Sequence, residues 1–154
     1  MHIQTLEREM ISPVSLQEAF AVFEDPYNLA KITPPWLNFR ILTPNLRMRL
    51  GAEIDYEFRW MGIPLRWKTR ITEYEPPFHF VDEALQSPYL LWRHRHIFRA
   101  SLEGARISDR VEYALPFGIF GVAAHSLVVR KQLDQIFDYR QKIVSEMLGV
   151  VLTR

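Results

Sequence analysis

Between Glu53 and Leu115 the sequence alternates apolar and charged residues over several segments, a rhythm that sharply limits what the chain can fold into. In Glu53–Met61, Ile54, Tyr56, Phe58 and Trp60 alternate with Glu53, Asp55, Glu57 and Arg59. Successive side chains of a strand point to opposite faces, so one face of this segment is buried and the other is wet. Met61-Gly62 fits a two-residue hairpin turn. Beyond it Leu65, Trp67, Thr69 and Ile71 share a face, with Arg66, Lys68 and Arg70 on the other. The outer acidic and basic rows are cross-strand complements worth about 0.2–1 kcal/mol per pair, a solvated ladder and not a binding surface. Glu75-Pro76-Pro77 and Ser87-Pro88 turn the chain into Phe78–Leu85 and then into LLWRHRHIFRA. There Trp92, His94, His96 and Phe98 face one way, and Arg93, Arg95 and Arg99 the other. Glu103-Gly104 reads as the last hairpin turn. Ile107, Asp109, Val111, Tyr113 and Leu115 then point inward.

The ends of the chain obey a different period. His2–Met10 reads as a first strand, broken at Ser12-Pro13. Ser15 with Glu18 makes a capping box for a helix carrying Leu16, Phe20 and Phe23 at helical spacing. Asp25-Pro26 starts a second short helix that must stop near Thr33, because Pro34 and Pro35 lack amide donors and force extended geometry before them. Trp36 is thereby delivered to the lip of whatever follows, and Leu37–Leu42 reads as extended. After Pro116-Phe117-Gly118, apolar residues recur at three and four from Ile119 to Leu148: Phe120, Leu127, Leu133, Phe137 and Val144 among them. That predicts one helix about 45 Å long at 1.5 Å per residue, with Gly149 as its stop. The order is therefore strand, two short helices, six strands, long helix. It predicts a single α+β domain over residues 1–154: a curved seven-stranded antiparallel sheet gripping the C-terminal helix.

Composition narrows the function. A net charge of +1 and a pI near 8.1 supply no strong field, which argues against a nucleic-acid partner. The absence of cysteine removes disulfides, thiolate nucleophiles and cysteine-based metal centres. The N-terminus MHIQTLEREM lacks the basic and apolar regions of a signal peptide, and no stretch reaches the roughly 20 apolar residues of a membrane helix. A cytoplasmic protein without an integral membrane segment is expected; oligomeric state is open. Aromatics make up 13% of the chain.

Three segments, DPYNLAKITPPWLNF, RITEYEPPFHFVDE and DRVEYALPFG, together with this element order, resemble the SRPBCC superfamily, the START and birch-pollen-allergen group. The similarity is strongest to its bacterial cyclase/dehydrase-like and coenzyme-Q-binding-like members. It implies the helix-grip fold and an internal pocket for a hydrophobic molecule, but no particular reaction.

The inward residues are the candidate site. Trp36, Tyr56, Phe58, Trp60, Trp67, Phe80, Trp92 and Phe98 are expected to wall a cavity, because one helix does not fill the concave face of seven strands. Register from a Glu103-Gly104 turn sets His94 opposite Tyr113 and Phe98 opposite Asp109, and Asp82 lands near Trp92 or His94. An Asp82–His94–Tyr113 row results, with His96 beside it. This row reads as a core hydrogen-bond network, as an anchor for a ligand's polar head, or as acid/base equipment. His94-x-His96 also places two imidazoles on one face, where Asp82 or Asp109 would be a third metal ligand. Residues two apart are neighbours in any strand, so no metal or other cofactor is expected. The leading function is binding or carriage of a lipid, isoprenoid quinone or polyketide-like aromatic. The alternatives are a cyclase or dehydratase using His94 or His96 as base and Tyr113 as acid, and a protein-interaction module with a vestigial cavity.

Overall fold

The computed structural model describes residues 1–116 and 118–152, and at positions 119–122, 124 and 125 the backbone alone. Phe117 in the expected Pro116–Gly118 corner, and the side chains of Phe120 and His125, lie outside the described part. The elements run β1 (Gln4–Ser12), α1 (Leu16–Glu24), α2 (Pro26–Lys31), a 3-10 turn (Pro35–Leu37) and β2 (Arg40–Ile41). They continue with β3 (Glu53–Trp60), β4 (Ile63–Glu75), β5 (His79–Gln86), β6 (Leu91–Ser101), β7 (Gly104–Ala114) and α3 (Gly118–Leu148). All seven strands form one antiparallel sheet in the order β1-β7-β6-β5-β4-β3-β2. The expected architecture is therefore the observed one.

The local signals act as their chemistry requires. The Ser15 hydroxyl accepts from the Glu18 amide, and the Glu18 carboxylate accepts from the Ser15 amide. Asp25 caps α2 by accepting from Tyr27 N at 3.0 Å. At the β3–β4 turn Met61 and Gly62 both adopt positive φ, and Trp60 pairs with Ile63. The extended segment expected from Leu37 begins only at Arg40: the prolines lead into a 3-10 turn that Asn38 ends in the left-handed region.

Register shifts between β4 and β5, at Lys68/Thr69 and Ile71/Glu73, bend the sheet, since a bulge locally increases strand twist. The curvature carries β1 and β7 round to meet α3. Ser12 Oγ donates to Leu148 O at 2.9 Å and Val151 N to Ile11 O at 2.7 Å, tying the end of α3 to β1. On the wet face Arg70 pairs with Glu53, a rung of the expected ladder, and Arg93 reaches Glu73 at 2.7 Å.

Two apolar clusters fill the concave side. One gathers Phe20, Phe23, Phe80, Phe98, Ile71 and Val144 beneath α1. The other joins Leu6, Val111 and Tyr113 to Leu133 and Phe137 of α3. Leu127, expected on the buried stripe of α3, is instead exposed. The stripe that faces inward runs through Val129, Leu133, Phe137 and Val144, the 3.6-residue period having turned Leu127 off it.

Candidate functional site

Along β6 the inward side chains are, in order, Trp92, His94, His96 and Phe98. Trp92 belongs with one apolar cluster and Phe98 with the other, so the two histidines stand where the clusters part. Both are buried. Their ring centroids lie 3.7 Å apart with the planes tilted by 31°, and Phe80 stacks on His96 at 4.1 Å.

A carboxylate grips each edge of this pair. On one edge, Asp82 Oδ2 lies 2.9 Å from His96 Nε2 and 3.8 Å from His94 Nδ1. On the other, Asp109 Oδ1 lies 2.7 Å from His94 Nε2 and 3.4 Å from His96 Nδ1. The backbone pairs Asp82 with His94 and His96 with Asp109, yet each carboxylate bonds the imidazole diagonal to it.

These contacts set the charge states. Burial works to raise the Asp109 carboxyl, but the bond from His94 and the nearby imidazoles and Arg140 outweigh it, holding it down to about 2. Asp82 is lowered in the same way: burial opposes, and the His96 bond, His94 and Arg140 prevail. Burial together with His94 drives His96 down to about 4 against the pull of Asp82 and Asp109, so His96 is neutral at pH 7.

The expected row of Asp82, His94 and Tyr113 is therefore corrected. The β6–β7 turn is Leu102-Glu103, since Ser101 pairs with Gly104, and this sets His94 opposite Val111 and Trp92 opposite Tyr113. The shift of two keeps every residue on its face but changes its neighbours. Tyr113 is fully buried, donates its hydroxyl to Gln4 Oε1 at 3.0 Å and does not bond His94. Asp109 is the partner of His94.

Beside this cluster lies a cavity of about 310 Å³ between sheet and α3. Tyr56, Phe58, Trp60, Trp67 and Trp92 line it from the sheet. Tyr89, Leu37, Phe39, Val129, Leu133 and Ile136 complete the wall. Trp67 is its centre: it stacks on Tyr56 at 6.0 Å and meets Trp92 edge-on at 5.2 Å. Trp60 Nε1 bonds Gln132 Oε1, joining the sheet to the helix. A second space of about 100 Å³ is lined by Asp82, His94, His96 and Phe80, and shares Leu29, Tyr56, Trp92 and Arg140 with the first.

Two expected wall residues, and Tyr113 of the expected row, lie elsewhere. Trp36 is 56% exposed and packs edge-on to Tyr139 at 5.7 Å, because the 3-10 turn rotates it outward and presents Leu37 to the cavity instead. Phe98 is sealed into the core by Phe20 and Phe23, each at 5.2 Å, because α1 covers that end of the sheet. Tyr113 lines neither space.

Arg140 is the residue the sequence reading passed over. It borders both spaces and lies over the Phe137 ring at 4.9 Å. Its Nε is buried without a hydrogen-bond partner among the described residues. The signal was present: Arg140 stands three after Phe137 and four before Val144, a charge set into an apolar stripe.

The sequence model of the polyketide cyclase/dehydrase and lipid transport family matches residues 12–144, from the end of β1 almost to the end of α3. The chain belongs to this family. The family is of the SRPBCC type, as the three segments led us to expect, and its fold binds hydrophobic ligands. Among solved structures, protein CV1439 from Chromobacterium violaceum superposes with a TM-score of 0.72 at 16% identity, over 96% of this chain and 99% of that one. Ara h 8.0201 does so with a TM-score of 0.65 at 17% identity, over 94% and 99%. The di-domain ARO/CYC StfQ from the steffimycin biosynthetic pathway gives 0.70 at 11% identity, over 92% of this chain and 50% of that chain. At such identities the likeness is one of fold. No curated protein matches the chain in sequence. Among the described residues no helix is long and apolar enough to cross a membrane.

Proposed function

We propose that this protein binds and carries a small, largely apolar molecule bearing a ring and a polar group, of the isoprenoid-quinone, lipid or polyketide-aromatic class. The observation that carries the reading is the continuous aromatic wall of the 310 Å³ cavity, built by Tyr56, Phe58, Trp67, Tyr89 and Trp92. That volume falls in the range of small-molecule sites, and such sites combine apolar walls with a few placed polar groups. A ring in this space meets the faces and edges of several aromatics, each good contact adding about 0.5–1.5 kcal/mol beyond its buried area. Thr33, Gln132 and Arg140 bring polar groups to its border. The cyclase reading gains less support, because the acid and base it required, Tyr113 and His94, have separate partners.

Native mass spectrometry of protein purified from its own host tests the proposal. A retained small molecule, released on unfolding and competing with an apolar fluorophore for the folded chain, is the expected result. Protein that is reproducibly empty and does not take up the fluorophore or any of the three ligand classes would overturn it.

A further inference from the structure

The polar cluster has a geometry that the carriage of an apolar guest does not use. On one edge of the imidazole pair the ligand atoms of His94, His96 and Asp82 lie within 4.8 Å of one another; His94 Nδ1 and Asp82 Oδ2 offer lone pairs, and His96 Nε2 offers one once its proton moves to Nδ1, which faces Asp109. From these contacts we infer that Asp82, His94 and His96 form a binding site for a divalent transition-metal ion, for which zinc is the best match.

The separations suit the ion. Zinc holds imidazole nitrogen and carboxylate oxygen at about 2.0–2.2 Å in a tetrahedron, which sets those donors roughly 3.3–3.6 Å apart. Asp82 Oδ2 now stands 2.9 Å from His96 Nε2 and 3.8 Å from His94 Nδ1, so adjustments of under about 1 Å bring the carboxylate to the spacing that zinc sets from each imidazole. The donors also suit it: two imidazoles and one carboxylate form a borderline set, softer than the all-oxygen shells that calcium and magnesium prefer.

The opposite edge supplies what metal-bound histidines need. A ligating imidazole is held in tautomer and orientation by a carboxylate on its other nitrogen. Asp109 does this for His94 at 2.7 Å and faces the rear nitrogen of His96 at 3.4 Å. That rear nitrogen, His96 Nδ1, is buried and has no hydrogen bond among the described residues. A small turn of the ring towards Asp109, of the kind ligation on the front edge requires, would satisfy it.

Charge points the same way. Asp82 and Asp109 bring two carboxylates to the imidazole pair, against the single guanidinium of Arg140, in a largely buried cluster. A cation is the species such a cluster accepts most readily. Asp82, His94 and His96 all line the 100 Å³ space, so a fourth coordination position opens onto room for water or an oxygen of a guest. Three protein ligands with one open position is the arrangement of reactive zinc sites, whereas structural sites close all four.

The test uses the full chain stripped with chelator and titrated with Co2+. Visible d–d absorption saturating at one equivalent per chain and displaced by Zn2+ is expected. Asp82→Ala should abolish the band, and Asp109→Asn should weaken affinity about 10–100-fold, the usual effect of losing an orienting partner. Where a variant fails to fold, proton NMR of the unaltered chain decides: Zn2+ should move the imidazole signals of His94 and His96, with His79→Gln used to assign a surface signal. Absence of any band, a band that survives Asp82→Ala in folded protein, or shifts confined to His2, His79 and His125 overturns the inference.

Discussion

The Nε2 atom of His94 stands 2.7 Å from Asp109 Oδ1, both side chains largely buried, on neighbouring strands whose backbone does not pair them directly. Asp109→Ala removes the carboxylate from one imidazole and faces the other with nothing. A loss of about 3–5 kcal/mol is expected, as when a buried pair loses one member. Asp109→Asn keeps shape and one acceptor, and should cost about 1–3 kcal/mol. Urea denaturation of both variants checks the order; equal and negligible losses would show that the contact carries no stability.

Metal-free protein should lose stability as pH falls from about 6.5 to about 4. His96 titrates near 4 when folded and near 6.5 when unfolded. Over that window the unfolded chain binds more protons, so stability is full above the unfolded value and declines as pH drops. Asp109, held at about 2 against an ordinary 3.8, extends the decline below pH 4 with the same sign. The steepest slope from a single proton is about 1.4 kcal/mol per pH unit. Urea midpoints at several pH values, with chelator present, should fall in this way, and His96→Phe should flatten the limb above pH 4. A midpoint that is level between pH 6.5 and 4.5 contradicts the assignment.

Val129 lines the large cavity from α3 without being fully buried. Val129→Trp should fill that space while leaving the core clusters intact. Apolar fluorophore binding is expected to weaken by at least about tenfold, equivalent to about 1.4 kcal/mol. The melting temperature should change little, since the added ring enters space and not packed core. If melting collapses while binding per folded molecule persists, the guest does not occupy this cavity.

Gly104 opens β7 with φ of +141°, and a Cβ there would meet Ser12 O at 2.0 Å. Gly104→Ala therefore combines a backbone conformation reserved for glycine with a collision against main chain that cannot swing aside. A cost of about 2–5 kcal/mol is expected. Gly51→Ala is the control: its φ is +81° but nothing lies within 4 Å of the added carbon. It should cost only about 1–2 kcal/mol. Thermal melts of the pair distinguish collision from backbone strain, and equal losses would refute the difference.

What the sequence determined by itself was parity and order. Alternation along Glu53–Ile71 and Trp92–Phe98 assigned each side chain to a face, because a strand's period is two whatever it pairs with. The capping box at Ser15 and the prolines at Pro34 and Pro35 set where helices begin and end, because those effects act within a few residues. Partners were another matter. Placing the last hairpin at Glu103-Gly104 instead of Leu102-Glu103 kept His94 inward yet matched it with Tyr113, when Val111 stands opposite and Asp109 reaches across the diagonal. Nothing local chooses between those two turns; the close approach of Gly104 to Ser12 on β1 is a contact between residues some 90 positions apart. Only the folded sheet could close the cluster of Asp82, His94, His96 and Asp109. Only the placement of α1 and α3 could decide that Phe98 is sealed in the core while Trp67 faces open space. Those outcomes depend on curvature and packing between distant segments, which no short window of residues contains.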